Sequence, residues 1–153
     1  MSIILDGTNG ININGVAINA TGGTYYSNQY LMTGITSSNT ETEIFIGGVA
    51  NSRIGIVSSN TIYYNIDVMT IRTGDYAYIS PECATFYIKG AIRNIGGTVS
   101  DIGNLYEVVV TRSDAAFLVD SRANNIDKSL SVYVKGKPSI NMKWTAIVTT
   151  MEL

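Results

Sequence analysis

The chain has no histidine, one cysteine and two prolines among its 153 residues. These shortages exclude whole classes of function. Without an imidazole, the usual proton shuttle of Ser-His-acid and Cys-His catalysis is absent. One cysteine without histidine cannot supply the nitrogen and sulfur ligands of a zinc site. Cys83 has no partner for an internal disulfide, as expected of a protein made in the cytosol. Charge is also scarce: charged residues make up 14% of the chain, against roughly 25% in an average domain. No basic cluster of the kind nucleic acid requires is present. No apolar run approaches the roughly 18–20 residues of a membrane-spanning helix. The opening MSIILDGT has neither a basic region nor a long apolar region, so no secretory signal is expected.

Motifs that carry chemistry are missing too. Gly7, Gly10 and Gly15 match neither G-x-G-x-x-G nor the P-loop spacing. No calcium loop of the D-x-[DN]-x-[DN]-G type occurs. Paired carboxylates can meet in a fold, but no motif marks such a pair. No enzymatic activity, cofactor or metal is expected.

What is present is Thr, Ser, Asn and Tyr between runs of Ile and Val, a mixture that suits strands. The Ala, Leu, Glu and Lys that build long helices are sparse. Period-two alternation marks half-buried strands. In TIYYNIDVMTIRT (61–73), Ile62, Tyr64, Ile66 and Val68 share one face, while Tyr63, Asn65, Asp67 and Met69 share the other. In CATFYIKGAIR (83–93), Phe86, Ile88 and Ile92 alternate with Tyr87, Lys89 and Arg93. LSVYVKG (130–136) turns Leu130, Val132 and Val134 inward. INMKWTAIVTT (140–150) does the same with Ile140, Met142, Trp144, Ala146 and Val148. The compact run LYEVVVTRS (105–113) reads as a central strand, and FLVDS (117–121) as a short one before the polar turn RANNIDKS. TEIFIGG (42–48) and SRIGIVS (52–58) add two more. Turn signals at 74–75, 96–97, 124–125 and 135–138 separate the runs. Pro81 marks a bulge or an edge. About eight short strands without an intervening helix predict an all-β fold, an antiparallel β-sandwich of jelly-roll type.

Residues 1–52 differ from the rest. They carry Asp6, Glu41 and Glu43 and no basic residue, whereas all ten Lys and Arg follow. Asn14-Gly15 is a strong hairpin signal, but hairpins this small are marginal alone in water. Ile3, Leu5, Ile11, Ile13, Val16 and Ile18 have too few neighbours within the segment, so they are expected to bury against another chain. Residues 21–42 read as a linker with an aromatic patch. The expected division is an N-terminal arm and linker at 1–41, used for attachment and oligomerisation, and a β domain at 42–153.

Several residues carry two readings. Tyr25, Tyr26 and Tyr30 form either a receptor or sugar-stacking patch or a packing junction; rings with polar tips suit both. Trp144 belongs to the core or a subunit interface. Cys83 has no cationic neighbour in sequence to make it reactive, so a buried structural thiol is expected. Asp114, Asp120 and Asp127 fit no metal-loop spacing and are expected in solvated turns.

The opening LDGTNGI (5–11) resembles the short β-turn motifs of bacteriophage tail-fibre and related virion proteins. YNIDVMTIRT (64–73), ATFYIKGAIRN (84–94), VVVTRSDAAFLVDSRANNIDKSLSVYVKGKP (108–138) and INMKWTAIVTTMEL (140–153) resemble a small β domain of phage structural proteins. This resemblance implies a non-enzymatic virion component made in the host cytoplasm. Such a component is usually a homotrimer contacting other capsid or tail proteins: a short fibre, a head fibre or a capsid decoration protein. A host surface glycan is a further possible partner, and a lectin-like module is the other class to weigh.

Overall fold

The computed structural model describes residues 18–20, 23–74 and 82–152, with side chains from residue 27 onward. The described residues contain eleven strands and no helix: β1 (Ile18–Ala20), β2 (Gly23–Thr36), β3 (Glu41–Ile46), β4 (Ile54–Gly55), β5 (Asn60–Arg72), β6 (Cys83–Ile95), β7 (Thr98–Asp101), β8 (Tyr106–Arg112), β9 (Leu118–Asn124), β10 (Ser129–Lys135) and β11 (Met142–Glu152). Every pairing is antiparallel. The chain is all-β, in one curled antiparallel sheet.

The sheet has two halves. In the first, the order is β2-β11-β5-β6, with β7 and β8 sharing the far edge of β6. In the second, β10 is flanked by β9 on one side and by β3 and β4 on the other. The halves join through a short contact of β2 with β3, Met32 opposite Ile46 and Thr33 opposite Phe45. Because strands twist relative to one another, the sheet curls until its ends meet. Polar links close it: Tyr64 Oη and Ser121 Oγ lie 3.1 Å apart, the Ala123 N–H donates to Asp101 Oδ1 at 3.0 Å, and the Val99 N–H donates to Asn125 Oδ1 at 2.9 Å.

The inward face follows the alternation. Ile62, Tyr64, Ile66 and Val68 are buried, as are Phe86, Ile88, Ile92, Leu130, Val132, Val134, Met142, Trp144, Ala146 and Val148; Ile140 is partly buried and precedes β11. Trp144 fills the centre, with Phe86 stacked and Phe117 edge-on, each 6.4 Å away between ring centroids. Such aromatic pairs add about 0.5–1.5 kcal/mol beyond the area they bury. Gly96 and Gly97, both at positive φ (58° and 82°), make the two-residue hairpin between β6 and β7, where a primed turn matches strand twist.

Four expectations need correction. Residues 23–36 are not a linker: β2 pairs with β11 from Tyr26 to Thr36, and Met32 is in the core. Its inward positions include Gly34 and Thr36, so the segment lacks an apolar alternation of its own; the Ile44 side chain of the neighbouring β3 occupies the space above Gly34. The run around VVV is not a central strand. Among the described residues β8 pairs with β6 alone, and Val109 and Val110 are exposed at a register shift. RANNIDKS is not all turn, because β9 runs on to Asn124. Cys83 is exposed rather than buried, since Ala84 takes the inward position beside it. The Asn14-Gly15 hairpin, Ile3, Leu5, Ile11, Ile13, Val16 and Pro81 lie outside the described residues.

Candidate functional site

The two halves of the sheet present unlike outer faces. On β3, β10 and β9 the outward positions hold Glu41, Glu43, Tyr133, Lys135, Asp120 and Arg122, in cross-strand register. Arg53 grips Glu43 with two bonds, Nε to Oε1 at 2.8 Å and Nη2 to Oε2 at 2.7 Å. Arg53 also approaches Asp127 at 3.4 Å and lies over the Phe45 ring at 5.0 Å. Arg122 pairs with Glu41, approaches Asp120 at 3.6 Å and covers the Tyr133 ring at 4.0 Å. Burial alone would push the Glu43 carboxyl up. Hydrogen bonds from Arg53 and Ser131 and the charges of Arg53 and Arg122 outweigh it and hold Glu43 below its ordinary value. Arg53, Arg122 and the four carboxylates satisfy one another, and the face is finished for water.

The outer face of β2, β11, β5 and β8 is not. Leu31 and Ile147 stand directly opposite each other and are 52% and 42% exposed. Met69, Val110 and Ile147 rim one hollow, with Asp67 and Thr145 between them. Ile35 and Ile71, also exposed, flank Lys143 from either side. Scattered apolar side chains on a surface are ordinary, but a contiguous rimmed patch marks an interaction site.

Next to this patch, at the other end of the same face, lies a groove of about 550 Å³ lined by Tyr63, Asn65, Lys89, Asn104, Tyr106 and Met151 among others. Neither this groove nor the apolar patch was marked in the sequence as a site. Their only signal was that Tyr63 and Met69 occupied the supposedly polar face of the 61–73 strand.

The anticipated site residues are dispersed. Trp144 is fully enclosed by its own chain. Tyr30 is inward, opposite Val148, and packs against the core; burial, then the charge of Glu152, raise its pKa. Tyr25 pairs through its backbone with Ile18, and Tyr26 with Glu152. The three aspartates do not converge. Asp114 pairs with Lys137 at 2.6 Å and caps the Ala116 N–H at 2.8 Å, Asp127 accepts from Asn124 at 2.9 Å, and Asp120 lies within β9 rather than in a turn. Among the described residues, no three His, Cys, Asp or Glu side chains gather to hold a metal, and no helix is long and apolar enough to cross a membrane.

No protein-family model matches the chain, and no curated protein matches it in sequence.

Proposed function

We propose that this chain is a non-enzymatic structural protein of a bacteriophage virion that works as a homotrimer, a short fibre or attachment component on the tail or capsid surface. One observation carries the self-association: the apolar patch around Leu31, Ile147, Met69 and Val110 lies opposite in character to the self-satisfied charged face of β3, β10 and β9. Burying that patch against like chains removes apolar surface from water at roughly 25 cal/mol per Å², and closed symmetry is the common way for identical chains to do so. The virion assignment rests on the resemblance of the strand and turn segments. The curled sheet, closed by Tyr64–Ser121, is read here as a jelly-roll-like sandwich.

Sedimentation of the full chain tests the association. The expected mass is three times 16.5 kDa, falling to a folded monomer when Ile147→Lys and Leu31→Lys are combined. A wild-type chain that stays monomeric at micromolar concentration sinks the reading. Mass spectrometry of purified particles separates the fibre, present in a few trimers, from a capsid decoration protein, present in many copies. A lectin-like module is the second reading, favoured by the tyrosine-lined groove.

A further inference from the structure

Two successive cross-strand rows build the groove. The first runs Thr149, Asn65, Lys89, Tyr106 across β11, β5, β6 and β8; the second runs Met151, Tyr63, Ala91. Residues directly opposite in a sheet point to the same side, so these side chains share the outer face. The small Ala91 makes the floor. Its carbonyl accepts from the Ile102 N–H at 2.8 Å, which holds the loop before β8 alongside. Tyr63 and Tyr106, 49% and 60% exposed, stand to either side.

We infer that this groove binds a saccharide bearing a carboxylate. A pyranose presents flat C–H faces and a rim of hydroxyls. Tyrosine rings match the faces, being broad and apolar with a polar tip. The neutral hydrogen-bonding groups of Asn65, Asn104 and Thr149 match the rim. Tyr87 Oη donates to Asn65 Oδ1 at 3.3 Å, which orients the amide and leaves its NH₂ as the donor. Among the described residues, Lys89 is the single charged one lining the groove, and the residues directly opposite it are Asn65 and Tyr106 rather than an acid. An ammonium without a carboxylate partner favours an anionic group on the ligand, and the resulting hydrogen bond is charge-assisted. An apolar protein surface laid here would strand the Lys89 ammonium and the Asn65 NH₂, at a desolvation penalty. A polyanion such as nucleic acid needs many cations, and the described lining offers one. The groove volume lies within the roughly 300–1,000 Å³ of small-ligand sites.

The inference goes beyond the self-association reading and fails separately from it, because sedimentation reports one and saccharide titration the other. The full chain is titrated by calorimetry with 3′-sialyllactose and trigalacturonate, and with the neutral lactose and galactotriose. At least one acidic sugar is expected to bind about tenfold more tightly than its neutral counterpart. Tyr106→Ala, on an exposed edge strand, weakens binding about tenfold with the melting temperature unchanged. Lys89→Gln abolishes the acidic preference and leaves the neutral affinity in place. The inference is overturned if none of the four sugars binds at millimolar concentration. Equal affinity for acidic and neutral sugars, indifference to Tyr106→Ala, or equal competition by acetate alone overturns it as well.

Discussion

The indole N–H of Trp144 donates to Oγ1 of Thr36 across 2.8 Å, a buried bond between residues 108 positions apart. It fastens the start of β11 to the end of β2. Thr36→Val keeps the shape and removes the acceptor, leaving a buried donor without a partner. The expected loss is about 1–3 kcal/mol in urea unfolding, while Thr36→Ser retains most of the stability. A neutral Thr36→Val would show that the bond contributes nothing.

Gly34 sits where no side chain fits. A Cβ there would lie 2.5 Å from Cγ2 of Ile44, on a branched core residue, whereas a Cβ on Gly55 meets nothing within 4 Å. Gly34→Ala should therefore destabilise by about 1–3 kcal/mol through overpacking, and Gly55→Ala by less than about 0.5 kcal/mol. Combining Gly34→Ala with Ile44→Ala should give less destabilisation than the sum of the single changes. Thermal unfolding of the four variants is the check, and strict additivity would remove the steric explanation.

Tyr64 and Ser121 tie the two halves of the sheet together. Burial raises the tyrosine pKa, the hydrogen bond from Ser121 opposes this, and the charges of Asp101 and Asp120 add to it, so the phenol stays protonated at neutral pH. Tyr64→Phe and Ser121→Ala are each expected to cost about 1 kcal/mol. A double-mutant cycle should return a coupling of at least about 0.5 kcal/mol; zero coupling would mean that this pair does not help to hold the halves together.

Acid should loosen the charged face first. The folded pKa of Glu43 lies below its ordinary 4.5, so its unfolded form binds a proton more readily than its folded form. The stabilisation is complete above the unfolded value and fades as pH falls from about 4.5 through the lower folded value. Asp114, depressed by its hydrogen bonds from Lys137 and the Ala116 N–H, acts in the same direction. Glu107 acts oppositely: burial, then Asp120, raise its pKa against Arg112, which favours the fold at low pH. Glu43→Gln should flatten the decline of melting temperature below pH 4.5, and an unaltered profile would rule out the Arg53 pair as its source.

Much of the inward face was legible because period two is a direct consequence of strand geometry. Ile62 to Val68, Leu130 to Val134 and Met142 to Val148 each needed only their own neighbours in sequence. β2 was not legible, because its contribution is complementary: Gly34 leaves room for Ile44 of β3, and Thr36 offers an acceptor to Trp144, supplied more than a hundred residues later. β8 misled for the opposite reason. Three consecutive valines look central, yet a register shift places Val110 on an edge. Cys83 was misread because a short edge of alternation does not say which parity faces inward.

By itself, then, the sequence determined the strand chemistry, the absence of histidine-based catalysis and the inward residues of the long strands. Those properties are local, set by composition and by alternation along one segment. Only the tertiary structure decided which outer faces are finished. Arg53 with Glu43, ten residues apart, and Arg122 with Glu41, 81 apart, neutralise one face, while Leu31, Ile147 and Met69 meet on the other with nothing in the described chain to cover them. The same assembly sets Tyr63, Lys89 and Tyr106 around one groove. Sheet register brings such residues together, and register depends on cross-strand packing over the whole core rather than on any single segment.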